Sequence, residues 1–272
     1  MSAAGRLDHP DAYLRKEGER QDGPHDIAMS ALMLAKLDHP AQAIEPYVAH
    51  IEEIAAVARA DADRLSDVDD SVRHLARTLA GRFGYDGDRL NYDDPRNADL
   101  MSVIDRRRGM PVALGILYLH AARASGWHAE GLNSPGHFLI RIVVGGRGTI
   151  LDPFNGDAPS ENGSFPPRTA AGDIALAAVS DRDVLLRLLN NLKIRSLEKD
   201  DRARAVEIVR RMTLIAPRQP EVWFDMARLH EASGSLGAAR QAYESCLSCA
   251  PGGKPLHNEA ALALAMLKRR LN

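Results

Sequence analysis

The hydrophobic positions of residues 26–84 recur at the three- and four-residue spacing of amphipathic helices. Pro40 and Pro46 interrupt the pattern within residues 26–64, which predicts two or three short helices, each proline sitting in a first turn. A further helix is predicted over residues 66–84, where Gly84 would end it. Its buried face would comprise Val72, Leu75, Leu79 and Phe83.

The centre of the chain has a different pattern. Residues 112–125 are almost wholly apolar, with a proline before them and a glycine after them, which predicts a helix buried on most sides. Two strands are predicted at residues 137–144 and 149–152, joined by a glycine-rich turn, and residues 127–132 are a third strand candidate. Residues 155–172 lack any period and are predicted to form a long loop.

The last hundred residues contain an internal repeat. Pro217 and Pro251 are 34 residues apart, which is the period of tetratricopeptide (TPR) repeats. The alignment on these prolines pairs Leu189 with Trp223, Ala205 with Ala239, Val209 with Tyr243, and Met212 with Cys246. Two repeats followed by a capping helix at residues 258–271 account for the segment.

Composition and charge narrow the function classes. Apolar residues make up 45% of the 272 positions and charged residues 26%, as in ordinary globular proteins. The 35 Lys and Arg residues nearly balance the 37 Asp and Glu residues, so we expect neither nucleic acid nor an anionic membrane as a partner. No run approaches the roughly 18 apolar residues of a membrane span, and only two cysteines occur. We therefore expect a cytoplasmic protein.

His137 and Asp152 are the candidate catalytic residues. His137 begins one predicted strand and Asp152 ends the next. In an antiparallel pair such positions can lie side by side, so that Asp152 would fix the tautomer of the His137 imidazole. The two side chains would form two thirds of a catalytic triad.

A buried helix followed by strands that carry His and then Asp resembles the transglutaminase and papain-like core, whose nucleophile is a Cys at the N-terminus of the helix. The resemblance becomes specific at five segments, which are similar to the bacterial SirB-type family: residues 94–97 (DPRN), 106–114 (RRRGMPVAL), 135–138 (PGHF), 152–156 (DPFNG) and 188–193 (LLNNLK). The likeness covers roughly residues 25–270. That family joins a transglutaminase-like domain to C-terminal TPRs.

The resemblance implies an α+β fold with a helical N-terminal region, a papain/transglutaminase-like core with a small antiparallel sheet, and C-terminal all-α TPR repeats. The expected domains are a flexible tail (1–25), a transglutaminase-like domain with N-terminal helices (26–180), and two TPR repeats plus a capping helix (181–272).

The nucleophile that the resemblance implies is missing. It would fall at one of three residues, none of which can attack a carbonyl: Pro111, Val112 and Ala113. The nearest hydroxyls along the chain are those of Ser102 and Ser134, and strand alternation makes a direct hydrogen bond between Ser134 and His137 awkward. Without an adjacent base neither serine is an activated nucleophile, so we do not expect transglutaminase or protease chemistry.

Two interpretations of the His137–Asp152 pair are open. The pair can be a hydrogen-bonded link that fixes two strands. Alternatively it can belong to a pocket that binds a ligand or peptide without a covalent step. The polar walls of such a pocket would be Asp94, Asn97, Arg107 and Asn191.

Other candidate sites favour structural roles. A metal site would need Asp93 or Asp94 beside the His–Asp pair, a set without a recognised ligand spacing, so we expect no metal and no cofactor. Cys246 and Cys249 have the C-x-x-C spacing, but Cys246 falls where a repeat helix keeps a small buried residue, and the sequence has no second C-x-x-C. The basic cluster at residues 106–108 can bind a phosphate or an acidic segment, but the sequence favours a solvated or salt-bridged helix end.

The leading hypothesis is a non-catalytic transglutaminase-like protein that binds a protein, a peptide or a small ligand through its central pocket or its TPR region. The alternative is a hydrolase or transferase in which His137, oriented by Asp152, acts as general base on water. A third hypothesis is a regulator that acts only through its TPR surface.

Overall fold

The computed structural model describes residues 9–20, 23, 25–134, 137–156 and 176–271 of the chain. The chain divides into two compact units. The first unit is centred on Asp22–Leu188, and the second combines Asp11–Gln21 with Leu189–Asn272. The boundary at residue 188 falls inside a continuous helix.

Helices are numbered along the chain. Helix α1 (Pro10–Glu19) belongs to the second unit. The helices of the first unit are α2 (Ile27–Lys36), α3 (Glu45–Ala60), α4 (Val68–Ala76), α5 (Leu100–Arg106) and α6 (Pro111–Ala124). Short 3-10 turns lie at Ala62–Arg64 and Pro95–Ala98, and a π-helix at Arg77–Arg82 continues α4.

Aspartate side chains define where several of these helices begin. Asp26 caps α2 by accepting a hydrogen bond from the Met29 amide at 3.1 Å. Asp99 caps α5 through the Ser102 amide at 2.7 Å. The helix predicted to begin after Ser66 is capped by Asp67, and Gly84, with φ +73°, follows it as expected. Local sequence therefore sets these boundaries.

Helix α6 is the centre of the first unit. It occupies nearly the predicted range, and every residue of its 112–119 stretch is buried. A Cβ atom on Gly115 would lie 2.2 Å from Cε1 of Phe138, so the glycine allows the ring to pack directly on the helix. This contact brings the first half of α6 against the beginning of the sheet strand that contains Phe138.

A four-stranded sheet lies beside α6. It contains β3 (His128–Ser134), β4 (His137–Val144), β5 (Arg147–Leu151) and β6 (Ala178–Val179), in the order β5-β4-β3-β6. Strand β4 pairs antiparallel with β3, from Ser134 opposite His137 to His128 opposite Val143. A separate parallel ladder joins β1 (Asp86–Gly87) to β2 (Arg108–Gly109). The predicted small antiparallel sheet is confirmed.

The second unit is helical. It takes up the C-terminal part of α7 (Asp181–Glu198) and contains α8 (Arg202–Ile215), α9 (Pro220–Ala232), α10 (Leu236–Cys249) and α11 (Pro255–Leu271). The Trp223 indole donates a hydrogen bond to the Pro217 carbonyl at 2.8 Å, and Gly234, with φ +75°, turns the chain between α9 and α10. Tyr243 is fully buried. Those residues occupy the roles that the repeat alignment assigns them.

The N-terminal segment differs from the expected flexible tail. Residues 10–19 form α1, in which Leu14 is fully buried. Asp11 forms an ion pair with Arg210 at 2.9 Å, and a Cβ on Gly18 would lie 2.0 Å from the Leu214 carbonyl oxygen. The sequence pattern did not predict this helix, because a short segment with few apolar residues has little hydrophobic periodicity. Residues 1–8 lie outside the described residues.

Candidate functional site

His137 stands at the beginning of β4, where its side chain is exposed. Its carbonyl oxygen accepts a hydrogen bond from Arg187 Nη2 at 2.7 Å, and the Ser134 carbonyl lies 3.4 Å from the same nitrogen. The Arg187 guanidinium also lies 5.6 Å from the centroid of the Phe138 ring, and burial lowers its pKa. Arg187 therefore holds the ends of β3 and β4 together.

Ser134 lies directly opposite His137 in the β3–β4 register. Cross-strand partners project from the same face with their Cβ atoms about 5 Å apart. The antiparallel register of β3 and β4, and not alternation along one strand, therefore sets how the two side chains are related. The Ser134 side chain is buried, whereas that of His137 is exposed.

Asp152 follows β5 and is 8% exposed. Its carboxylate accepts hydrogen bonds from the Phe154 amide at 2.9 Å and from the Asn155 side-chain amide at 2.7 Å. Continuation of the β4–β5 register places Asp152 opposite Leu139, diagonal to His137, at a separation of about 7–8 Å. The register thus places Asp152 and His137 diagonally rather than side by side, and both Asp152 oxygens accept hydrogen bonds from the turn after β5.

An exposed surface lies next to this turn. Phe154 receives the Tyr92 ring edge-on at a centroid distance of 5.9 Å, and the Arg89 guanidinium lies 5.1 Å from its centroid. Arg89 also donates to the Asn155 side-chain oxygen at 2.9 Å. Leu90 is 94% exposed and Tyr92 is 43% exposed. We call Arg89, Leu90, Tyr92, Phe154 and Asn155 the Phe154 rim.

The N-terminal end of α6 carries no reactive side chain. Pro111 is its first residue, and Val112 and Ala113 are buried at 2% and 0% exposure. Met110 occupies the N-cap without a side-chain cap hydrogen bond. The free N–H groups and dipole of such a helix end could stabilise a thiolate or oxyanion, but the hydrocarbon side chains present cannot attack a substrate.

Asp94 and Asn97 stabilise the loop before α5. Asn97 is fully buried, donates to the Asn91 carbonyl at 2.7 Å and accepts from Arg106 Nη1 at 3.0 Å. Asp94 forms an ion pair with Arg96 at 2.6 Å, and the Arg96 guanidinium lowers the pKa of that carboxyl. The predicted role of Asn97 as a pocket wall is corrected, because a residue with no exposed surface cannot line a pocket.

Arg107 lines a cavity away from the Phe154 rim. The cavity has a volume of about 370 Å³, and its lining residues are Gln42, Ala43, Pro46, Tyr47, His50, Ile104, Asp105 and Arg107. None of them belongs to the rim or to the His137–Asp152 pair. Asn191 lies in the second unit, on α7, so its predicted role beside Arg107 stays a prediction.

The basic cluster of residues 106–108 does not act as one cation site. Arg106 forms a partly buried ion pair with Asp88 at 2.6 Å. Arg107 turns to its cavity, and Arg108 lies 3.9 Å from Asp86. The three guanidinium groups therefore have different partners.

The remaining candidates for chemistry are possible metal ligands and the two cysteines, and the described residues favour no metal site. No group of three or more His, Cys, Asp or Glu residues in the described ranges could hold a metal ion. Cys246 and Cys249 are free thiols of α10, and burial raises the pKa of Cys246 to about 11. A buried thiol with a raised pKa is a poor nucleophile, which favours the structural interpretation of this C-x-x-C spacing.

Comparison with known protein families decides the relationship. A family model described as "Transglutaminase-like superfamily" matches residues 45–190, more than half of the chain, and a tetratricopeptide-repeat model matches residues 192–272. The chain belongs to the transglutaminase-like superfamily. The architecture inferred from the SirB-type motifs, a transglutaminase-like domain followed by TPRs, is confirmed.

Individual relatives occur in bacteria and in animals. A UPF0162 protein of Xylella fastidiosa (strain Temecula1) is 30% identical over 225 residues, which cover 77% of this chain and 80% of the relative. A UPF0162 protein of Vibrio cholerae is 34% identical over 140 residues, 50% of this chain and 51% of the relative. F-box only protein 21 of Mus musculus is 34% identical over 90 residues, 33% of this chain and 14% of the relative. No solved structure matches the chain.

Sequence reasoning missed several residues of this transglutaminase-like domain. Arg187 reaches the start of β4 from α7, and Tyr92 reaches the Phe154 ring from the segment before α5; no local pattern predicts such contacts. The cavity at Arg107 likewise combines segments about 60 residues apart. Within the part of the chain that is described, no helix has the length and apolarity needed to cross a bilayer.

Proposed function

We propose that this transglutaminase-like protein binds a partner polypeptide and catalyses no acyl transfer. The observation that supports the proposal is the start of α6, where Pro111, Val112 and Ala113 stand at the positions to which the family resemblance assigns the nucleophile. Covalent acyl transfer needs a thiolate or an activated hydroxyl at that helix end, and aliphatic side chains supply neither.

Two surfaces support the binding role. The Phe154 rim exposes apolar and aromatic side chains beside a guanidinium group, a composition typical of protein interfaces. Helix α11 exposes Leu262 (65%) and Met266 (59%), which fits the use of helical repeats in peptide recognition. A partner can engage either surface.

Affinity capture from a bacterial lysate followed by reconstitution tests the binding role. The full chain is compared with Leu90→Asp on the Phe154 rim and with Leu262→Asp on α11, two equally charged changes at exposed leucines. We expect one variant, but not the other, to weaken binding of the purified partner by about tenfold or more in calorimetry. A partner that binds both variants like wild type, or the absence of any partner that survives reconstitution, would contradict the proposal.

Hydrolysis is the second candidate function, and the Ser134–His137 pairing favours it. An exposed imidazole can act as general base on water or, after a small movement, on the neighbouring hydroxyl. The test measures hydrolysis of a chromogenic acetate ester and incorporation of a primary amine into a glutamine-containing protein. The binding proposal expects wild type, His137→Ala and Ser134→Ala to have equal, background rates. Activity that both variants lose would support the hydrolase instead.

A further inference from the structure

The cavity lined by Arg107 lies where α3 and the end of α5 meet the segment before α3. Its volume of about 370 Å³ falls in the range of small-molecule sites. It contains none of the residues on which the proposed polypeptide-binding function rests. We call it the Arg107 cavity.

Arg107 is held in place from two sides. Its Nη1 donates to the Tyr85 hydroxyl at 2.6 Å and also bonds His50 Nε2, and its guanidinium carbon lies 4.9 Å from the centroid of the Tyr85 ring. Arg107 adopts φ 55° and ψ 25°, a left-handed conformation that a non-glycine residue rarely takes. Arg107 is the C-cap of α5, where a left-handed residue commonly ends a helix, so the helix end fixes the backbone that carries the guanidinium.

The same contacts fix the protonation state of His50. A guanidinium nitrogen can only donate, so Nε2 of His50 must accept and the ring proton resides on Nδ1. Burial and the nearby Arg107 charge lower the pKa of His50, which keeps the ring neutral, while Glu53 lies 3.7 Å from Nδ1. Arg107 is therefore the only fixed cation among the residues that line this cavity.

Asp105 supplies the opposite charge. One of its oxygens, Oδ2, accepts a hydrogen bond from the Tyr47 hydroxyl at 2.9 Å, and Gln42 bonds the same hydroxyl. Burial, together with Asp105, raises the pKa of Tyr47 to about 12, so the hydroxyl remains a donor. Among the described residues, the second oxygen of Asp105 and the Nε and Nη2 atoms of Arg107 make no hydrogen bond.

The charges and the remaining walls indicate the ligand class. One anion and one cation give a cavity without net charge, flanked by Ala43, Pro46 and Ile104. A phosphate dianion would face Asp105 and Glu53 with a single guanidinium as its counter-charge, which disfavours it. A zwitterion satisfies both poles at once, since a carboxylate pairs well with a guanidinium and an ammonium group with a carboxylate.

We propose that the Arg107 cavity binds a free α-amino acid with an apolar side chain. Its carboxylate would pair with Arg107, its ammonium group with Asp105, and its side chain would pack against Ala43, Pro46 and Ile104. No covalent step is involved.

Isothermal titration calorimetry of the full chain tests the proposal with matched probes. L-leucine carries both charges, 4-methylpentanoate retains the carboxylate alone, 3-methylbutylamine retains the ammonium group alone, and inorganic phosphate represents an anion of another shape. We expect L-leucine to bind, and each single-charge analogue to bind about tenfold or more weakly, because one charged hydrogen-bonded contact is lost.

Variants assign the site. Asp105→Asn retains an acceptor for Tyr47 but removes the negative charge, and Arg107→Gln removes the cation. Both should weaken L-leucine binding about tenfold or more, while Arg108→Gln, an equal charge change at the adjacent exposed residue, should leave it unchanged. Circular dichroism melting establishes that each variant is folded. If Arg107→Gln is unfolded, the effect of Asp105→Asn on L-leucine binding alone decides the test.

Three results would overturn the proposal. One is the absence of binding of L-leucine, L-valine and L-methionine at about 10 mM, where even weak sites fill. Another is equal binding of 4-methylpentanoate or tighter binding of phosphate, which would indicate an anion site. The third is L-leucine binding that Asp105→Asn leaves intact, which would locate the ligand elsewhere.

Discussion

Arg123 near the end of α6 and Asp181 at the start of α7 form a bidentate ion pair, with both N–O distances at 2.7 Å. The Asp181 carboxylate is 4% exposed and also accepts the His25 amide, while Arg123 donates to the Ala129 carbonyl. The pair thus ties together α6, the start of β3 and α7 within the first unit.

Replacement of Asp181 should be severely destabilising. Asp181→Asn leaves Arg123 partly buried without its counter-charge, and we expect a loss of about 3–5 kcal/mol in the free energy of unfolding. Asp61→Asn, which removes an exposed pair with Arg64, should cost under about 1 kcal/mol. Urea denaturation of both variants measures the difference, and similar losses would show that burial does not strengthen the Arg123 pair.

Gly115 should not tolerate a methyl group. In Gly115→Ala the new Cβ would overlap the Phe138 ring, which is 1% exposed and has little room to move, so we expect destabilisation by about 1–3 kcal/mol. Gly237→Ala in α10 is the matched control, because no atom lies within 4 Å of its Cβ position and alanine favours helices. Thermal melting should therefore show a decrease in Tm for Gly115→Ala and an increase in Tm for Gly237→Ala.

Stability should fall as the pH drops from about 7 to 5. Burial lowers the pKa of His120 below its ordinary value of 6.5, and its Nε2 lies 3.1 Å from the Ile51 carbonyl. A histidine whose folded pKa is lowered contributes stability that is complete above the unfolded pKa and is lost as the pH falls through the folded pKa. His120→Gln, which can keep the bond to Ile51, should show a smaller decrease in Tm over this interval.

His128→Gln is the control for that titration, since the side chain of His128 is 69% exposed. It should retain the wild-type decrease in Tm. An unchanged decrease in His120→Gln would assign the acid sensitivity to other groups, of which His50, also with a lowered pKa, is the first candidate.

The two thiols should differ in reactivity. Cys246 is fully buried with its pKa raised to about 11, whereas Cys249 is partly exposed. A disulfide reagent at pH 8 should therefore modify one thiol quickly in the native protein and the second only after denaturation. Cys249→Ser should abolish the fast reaction and Cys246→Ser should retain it. Fast modification of both thiols would contradict the buried position of Cys246.

The elements that the sequence predicted well have strong local signals. Helix α6 and strand β4 coincide with their predicted ranges to within a residue, because long apolar runs between a proline and a glycine leave little choice. Strands β1, β2 and β6 have only two residues each, which is too short for a hydrophobic alternation that would predict a strand. Residues of the predicted 155–172 loop beyond Gly156 lie outside the described residues.

The candidate site was only partly predictable, because it depends on register. The sequence identified His137 and Asp152, but the side-by-side placement assumed a register that differs by two residues from the one observed. The neighbour of His137 is Ser134, which the antiparallel pairing of β3 and β4 brings opposite. The meeting of Arg107 with His50 and Tyr85 joins three segments that are distant in the sequence, which no single segment encodes.

Helix α1 has a consequence for how the protein is made. Asp11 and Arg210, which bind each other in the second unit, are 199 positions apart. At a synthesis rate of about 5–20 residues per second, α1 leaves the ribosome about 10–40 s before Arg210 does. Throughout that time Asp11 and Gly18 lack their partners Arg210 and Leu214 of α8, and the transglutaminase-like domain can fold first. The second unit is thus completed by two segments that are synthesised at widely separated times.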